Sequence, residues 1–208
     1  MRLIYGTNNT AKFSAMQRAL SPLPIELIFP RELGLPLPSI TEAGDTPLQN
    51  ARIKANAYYR EWGNPVFSCD SALYAANLPD ELQIGLYIRR VNGRDLTDDE
   101  MVEHYSSLAR RFGPLKCRYR NAVCLISDHA HRFESEADDL DGDSFLLVDT
   151  PHKKRVAGFP LDCLSVDIET GRYYYDIDNY MAEALPAPSG FLRFFGAALK
   201  EMTGSCDV

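Results

Sequence analysis

The sequence predicts an α/β fold: an elongated mixed sheet with two lobes and a central cleft. Short apolar strands alternate with amphipathic helices in the first third, the pattern of parallel βα units. The middle then changes to strand-like runs with almost no helix, which suits antiparallel pairing. No linker separates these parts, so the 208 residues read as a single domain with two lobes.

Residues 3–5 form a first strand, which runs into Gly6-Thr7-Asn8-Asn9-Thr10-Ala11-Lys12. A helix is predicted over 10 to about 20, with Phe13, Met16 and Leu20 on one face. Residues 25–29 read as a strand and the proline-rich 30–38 as a loop. A helix over 47 to about 61 has Thr46 as N-cap, Pro47 at its first position and Gln49 completing a capping box. Residues 66–69 form a buried strand that ends at Asp70-Ser71. Thr97 and Glu100 form a second capping box, opening a helix to about 111. Strands follow over 116–127, 131–136 and 144–148. Two more, 164–168 and 172–175, flank the turn Glu169-Thr170-Gly171, and a last helix covers 190 to about 202.

Composition narrows the function classes. Hydrophobic residues make up 45% and charged residues 25%, as in ordinary globular chains. A formal charge of -7 argues against non-specific nucleic-acid binding, which needs clustered Lys and Arg, but permits a local basic pocket for a small phosphorylated substrate. There is no apolar run long enough to span a membrane, and the start is too soon polar for a signal peptide. Five cysteines without a C-x-x-C pair read as reduced thiols, so the expected location is the cytoplasm.

Four places combine polar groups with short strands. The turn from Thr7 to Lys12 precedes a helix N-terminus, where backbone N–H groups and the helix dipole favour anions. Thr7, Asn8, Asn9 and Thr10 add side-chain donors and Lys12 a full charge. The same residues also fit a plain strand-to-helix loop with capping side chains. Glu42 lies on a loop free to reach a cleft, and Asn50 and Lys54 share a helix face, although a solvated helix reads the same way. Asp70 at a strand end suits an active site of an α/β sheet, or a turn cap. Together Glu42 and Asp70 suit Mg²⁺, which takes few protein oxygens and keeps waters and phosphates. In Gly158-Phe159-Pro160-Leu161-Asp162, the aromatic and the carboxylate suit a base and its edge; an ordinary turn is the plainer reading.

Other features point to bland roles. His129 and His131 read as a surface turn and the acidic stretch 134–143 as a solvated face. Cys69 reads as a buried thiol, and Tyr173-Tyr174-Tyr175 as a strand packed on both faces.

In order and spacing, these pieces resemble the inosine/xanthosine triphosphate pyrophosphatases. The family's opening Thr/Ser-Gly-Asn-x-x-Lys appears as Thr7-Asn8-Asn9-Thr10-Ala11-Lys12. Its next motif, Glu-x-Gly-x-Thr followed by Asn-Ala-x-x-Lys-Ala, appears from Glu42 through Thr46 and from Asn50 through Ala55. Its Asp-Asp-Ser-Gly-Leu appears as Cys69-Asp70-Ser71-Ala72-Leu73, its Pro-Gly-x-Tyr as Ile84-Gly85-Leu86-Tyr87, and its Gly-Phe-Gly-Tyr-Asp-Pro as Gly158 through Cys163.

The resemblance implies Mg²⁺-dependent hydrolysis of a nucleoside triphosphate to the monophosphate and pyrophosphate, in a central nucleotide cleft. It implies that Thr7, Asn8, Asn9, Thr10, Lys12, Lys54 and Arg89 hold the triphosphate, with Asn50 and Ser71 in the substrate-binding set. Glu42 and Asp70 would hold the metal, Asp70 would orient the attacking water, and Asp70, Lys12 and Glu42 form the catalytic set. Phe159 and Asp162 would face the base. A homodimer is also implied; residues 87–91, where apolar and basic residues alternate in the sequence, are a candidate interface.

This sequence departs from the family at Ala15 and Cys69, where carboxylates are usual. Its C-terminal Ser-His-Arg matches only as Ser189-Gly190-Phe191, and Pro160 and Leu161 replace Gly-Tyr. The expectation is retained hydrolysis with a shifted or relaxed base preference. Three rivals stand beside it: a catalytically weak nucleotide sensor or regulatory protein, a septum-formation nucleotide pyrophosphatase, whose motifs fit worse, and a structural protein.

Overall fold

The apolar strand β1 (Arg2–Tyr5) pairs in parallel with β2 (Glu26–Ile28) and with β3 (Val66–Ala75) in a computed structural model that describes residues 1–34, 36–177 and 188–204. Parallel neighbours need crossovers, supplied here by α1 (Thr10–Ala19) and α2 (Pro47–Trp62). Antiparallel strands complete an open mixed sheet of seven: β6 (Leu115–Ile126), β7 (Arg132–Ser135), β8 (Phe145–Leu147) and β9 (Ser165–Asp167). The order is β2-β1-β3-β6-β8-β9, with β7 also paired to β6. The remaining elements are a short hairpin, β4 (Arg90–Val91) with β5 (Arg94–Asp95), and helices α3 (Asp98–Phe112) and α4 (Ser189–Thr203).

The chain divides into two units. The first takes its described residues from 1–71, 120–141 and 188–204. Side-chain alternation along β1 sends Leu3 and Tyr5 to one face and Ile4 to the other. On the first face they join Phe13 and Met16 of α1, Phe67, and Phe191 and Phe195 of α4. The Tyr5 and Phe67 rings stack at 4.5 Å, and Phe195 meets Phe67 edge-on at 4.7 Å. On the second face Ile4, Ile28 and Val66 pack with Tyr58 of α2, and Ala51 and Ala55 of the same helix lie against Cys124 and Ile126 of β6.

The second unit takes its described residues from 72–119 and 142–177. Its core gathers Leu73, Tyr105 and Ala109 of α3, Leu115, Cys117, Phe145, Leu147 and Leu164. The predicted capping box at its N-terminus is complete: the Glu100 N–H donates to Thr97 Oγ1 at 3.3 Å and the Thr97 N–H to Glu100 Oε2 at 2.8 Å. The β4–β5 hairpin turns on Asn92 and Gly93, both at positive φ (51° and 75°). This Asn-Gly pair is the preferred two-residue hairpin turn.

Four local expectations are corrected. The strand expected to end at residue 69 continues through Asp70 and Ser71 to Ala75, because those polar side chains find partners within the fold. The loop over 30–38 opens with a short 3₁₀ turn, Pro30–Leu33, closed by Gly34 in the left-handed region; Leu35 lies outside the described residues. Thr46 caps α2 as expected, but Gln49 Oε1 accepts from the Asp45 N–H at 2.7 Å, so the box is displaced by one residue. Residues 172–175 do not form a strand. Tyr173 makes one bridge to Val166, and Tyr174–Asp176 is a 3₁₀ turn with Tyr174 buried. The preceding turn is present: Gly171 has φ 67° and its N–H donates to Asp167 O at 2.9 Å.

Among the described residues no helix is long and apolar enough to cross a membrane. Cys69, Cys117, Cys124 and Cys163 are free thiols, and Cys206 lies outside the described residues.

Candidate functional site

Helix α2 builds the centre of the first unit's polar cluster. Asn50, almost fully buried, accepts the Gly44 N–H on Oδ1 at 2.8 Å and so fixes the loop that carries Glu42. A Cβ at Gly44 would lie 2.7 Å from that same oxygen, so the approach requires glycine. One turn later, Lys54 Nζ donates to Asp70 Oδ1 of β3 at 2.6 Å and lies 3.5 Å from Glu42 Oε1. The Lys54 and Asp70 side chains are only 13% and 11% exposed, whereas Glu42 at 46% remains open to solvent. One ammonium therefore marks the point on which both carboxylates converge.

The turn after β1 forms a second side of this cluster. Gly6 is pinned from two directions: its N–H donates to Phe67 O at 2.7 Å and its carbonyl accepts from Ser68 Oγ at 3.1 Å. A Cβ on Gly6 would sit 2.3 Å from Ser68 Oγ and 2.5 Å from the Tyr58 ring. Beyond it, Thr7 Oγ1 accepts the Asn9 N–H, and Asn9 Oδ1 accepts the Ala11 and Lys12 N–H groups at 2.9 and 3.1 Å. The first helical amides are thus already capped from within the turn. What faces outward is exposed Asn8, steadied by the Tyr58 hydroxyl at 3.3 Å, exposed Thr10, and the Lys12 side chain.

Lys12 is an exposed residue whose ammonium lies within electrostatic reach of Lys54, Asp70 and Glu42. Desolvation first, then the Lys54 ammonium, holds its pKa below the ordinary lysine value, while Asp70, Cys69 and Glu42 pull the other way. Cys69 beside it is an unreactive thiol: burial pushes it up to about 12, against the opposing pull of Lys54 and Lys12. Ser71 donates to Asn121 Oδ1 at 2.6 Å, and Asn121 is itself anchored by donating to Leu140 O at 2.7 Å.

Among the described residues no group of three or more His, Cys, Asp or Glu could hold a metal. The remaining donor set is the Glu42–Asp70 pair. It fits Mg²⁺, which takes one or two carboxylates and completes its shell with water and phosphate oxygens, and the position of Lys54 Nζ shows that both acids can serve one cation.

Arg89, Phe159 and Asp162 belong to the second unit. Arg89 donates to Asp98 Oδ1 at 2.7 Å and to Leu96 O at 2.9 Å, and Asp98 Oδ2 accepts the Gly158 N–H at 3.3 Å. Asp98 thereby ties Arg89 to the start of the Gly158–Asp162 turn. Phe159 and Asp162 are half-buried on that turn, with Pro160–Leu164 a 3₁₀ helix. Asp162 lies close enough to Tyr119, Tyr174 and Tyr175 to add, after burial, to the upward shift of each phenol.

Sequence reading named Glu42, Asn50, Lys54 and Asp70 and missed Tyr58, Asp98 and Asn121. Their partners lie 50, 9 and 50 residues away, and no local pattern marks such pairs. The expected surface turn at His129 and His131 is present, with His131 Nδ1 2.9 Å from Asp128. The acidic stretch is only partly solvated: Arg52 clamps Glu134 with two bonds, Arg193 pairs with Asp139 at 2.7 Å, Asp141 Oδ1 accepts the Asn121 N–H at 3.2 Å, and Leu140 is buried.

Comparison with known proteins identifies the family and the fold. A protein named dITP/XTP pyrophosphatase from Zymomonas mobilis is 30% identical over 138 residues, and one of the same name from Porphyromonas gingivalis is 29% identical over 136. The match to the Zymomonas protein spans 64% of this chain and 64% of that protein's length. A HAM1 protein from Coxiella burnetii has the same fold, with a TM-score of 0.72 at 22% identity over 97% of this chain and 99% of that one. The Staphylococcus aureus Ham1 protein superposes with a TM-score of 0.71 at 17% identity, covering 97% and 100%. A sequence profile of the Ham1 family matches residues 3–143, well over half of the chain, and the chain belongs to that family.

Proposed function

We propose that this chain hydrolyses nucleoside triphosphates to the monophosphate and pyrophosphate with Mg²⁺, probing the nucleotide pool for unusual purine bases. The single observation that carries the reading is the Lys54 ammonium held between Asp70 and Glu42, with Lys12 within electrostatic reach. Two acids on one ammonium, with a second lysine in electrostatic reach, are suited to a metal-bound polyphosphate.

In the reaction, a water oxygen bonds to the α-phosphorus while the bond from that phosphorus to the α,β-bridging oxygen breaks; pyrophosphate leaves with the bridging oxygen and its electron pair, and the proton released by the water passes to solvent. Glu42 and Asp70 would hold the metal, which would supply neutralisation of phosphate charge and polarisation of the anhydride. The rest falls to the chain's own groups. Lys54 shifts from Asp70 toward the phosphates, and the freed Asp70 oxygen accepts a hydrogen bond from the attacking water. Lys12, with Thr7, Asn8, Asn9 and Thr10 around it, offsets the charge growing on the departing pyrophosphate. Such positioning and electrostatic stabilisation supply most of the catalysis in phosphoryl chemistry. Asn50 acts one step back, by holding the Glu42 loop, and Ser71 by way of Asn121.

Arg89, Phe159 and Asp162 are proposed to complete the substrate set, the first at the phosphates and the other two at the base. The similarity to proteins named dITP/XTP pyrophosphatases supports purine substrates. Location in the cytoplasm and homodimer formation are part of the same proposal, the first supported by the free thiols.

The test is release of pyrophosphate by the purified chain, with Mg²⁺, from ITP, XTP, dITP and the four standard nucleotides. Release from several of them is expected, with less discrimination than strict ITP or XTP cleavage. No release from any would overturn the hydrolase reading, and binding without turnover would favour a nucleotide sensor.

A further inference from the structure

We propose that a cavity of about 560 Å³ between the C-terminal half of α2 and the β6–β7 turn is a second binding site, for a small phosphate-bearing anion. It lies wholly within the first unit, and its lining shares no residue with the Lys54 cluster.

The case rests on charge and preorganisation. Arg60 and Arg132 line the cavity with His129 and His131, and Asp128 is the only acid among the lining residues. At neutral pH the two guanidiniums outweigh that one carboxylate, in a chain whose overall charge is -7. Asp128 is also turned to local use: its Oδ1 accepts the Ala130 and His131 N–H groups at 2.8 and 3.0 Å, and the His131 ring stands 2.9 Å away.

Glu134, which also lies on β7, is clamped by Arg52 through bonds of 2.9 and 2.6 Å and pairs with Arg132 at 3.8 Å. Arg132 shares that one carboxylate with Arg52 and also donates to Asn56 Oδ1 of α2 at 3.3 Å, so the two arginines outnumber the acid between them. Among the described residues Arg60 has no ion-pair partner, so its charge is available. The C-terminal carbonyls of a helix disfavour anions. Here Gly63 closes that end by donating to Tyr59 O at 2.8 Å, and two full positive charges exceed the partial charge of the helix end.

The remaining wall is aromatic: His129 meets Tyr59 edge-on at 5.4 Å. The cavity volume admits either orthophosphate or a nucleoside monophosphate, whose base would lie on that wall. The shared chemistry is the phosphate dianion held by Arg60 and Arg132.

The chain's single tryptophan, Trp62, lies between Arg60 and Gly63 and reports on this end of α2. Orthophosphate and AMP would each be titrated at constant ionic strength, following Trp62 fluorescence and heat. A saturable transition is expected, weakened at least fivefold in both Arg60→Gln and Arg132→Gln, which keep the parent's thermal midpoint, and retained in Lys12→Ala. Tighter AMP binding would assign a nucleotide as the source, and equal affinities the free ion. No saturable transition, or one unaffected by Arg60→Gln, overturns the proposal. Loss in Lys12→Ala alone does so too, by moving the ion to the proposed catalytic cluster. Pyrophosphatase activity is read separately, so failure there leaves this test intact.

Discussion

Lys54 is the residue on which the proposed site turns, since it contacts both acids and is nearly buried. Replacing it with Met leaves Asp70 without its counter-ion in a place that water hardly reaches. Removing one partner of a buried pair costs about 3 kcal/mol, measurable as a lower urea midpoint. Pyrophosphate release should fall about 100-fold or more, the scale of losing one preorganised charge at a reacting phosphate. Adding Asp70→Asn should recover most of the stability and none of the activity. If the single variant keeps its turnover, Lys54 is only a structural counter-ion. These residues were readable because Asn50 and Lys54 stand one helical turn apart and Glu42 precedes a glycine-containing loop. The uses of Asn9 and Thr7 were not: their side chains cap backbone amides that sequence reading had left free for an anion.

At the scale of elements, local signals fared well where a helix carries its own punctuation. The Thr97–Glu100 box lets α3 be tested directly. Thr97→Ala should cost about 1 kcal/mol, lowering the thermal midpoint by about 3 °C. Glu100 is held down to about 2, first by the Thr97 backbone N–H and next by the Arg94 guanidinium. Because its folded pKa lies below the ordinary 4.5, its stabilisation is complete above that pH and is lost as the pH falls toward 2. Acid unfolding monitored by circular dichroism should therefore begin less steeply between those values in Glu100→Gln; an unchanged profile would remove Glu100 from the account. Strands were less legible. Asp70 and Ser71 read as a stop because a lone carboxylate or hydroxyl in a strand is costly, and only the fold reveals that Lys54 and Asn121 satisfy them. The tyrosine run 173–175 has high strand propensity, but β9 beside it is three residues long and offers a single bridge, so the chain turns into 3₁₀ instead.

For the whole molecule, the change from parallel βα units to antiparallel strands announced a mixed sheet, because the period and order of apolar runs survive in the sequence. The division into units did not follow the chain: residues 120–141 return to the first unit, and both β3 and β6 contribute residues to each. Proximity of segments so far apart is set by strand pairing, which local pattern does not encode. The proposed chemistry makes a claim about the stability of this whole chain. Lys54 occupies the convergence point of Glu42 and Asp70, so Mg²⁺ alone competes with an internal ammonium, and a triphosphate alone meets two carboxylates. Each should bind weakly by itself, whereas together the phosphates would draw Lys54 away and leave the two acids able to hold the metal. A ligand at 100 times its dissociation constant adds about 2.7 kcal/mol to the folded state, which for a chain of this size raises the thermal midpoint by about 8 °C. Thermal unfolding with Mg²⁺, with a non-hydrolysable triphosphate and with both should show a shift for the pair well beyond the sum of the two alone, and Lys54→Met should lose that excess. A Mg²⁺ shift equal to that of the pair would mean that the ion binds elsewhere on this acidic surface, and the two-carboxylate site would have to be abandoned.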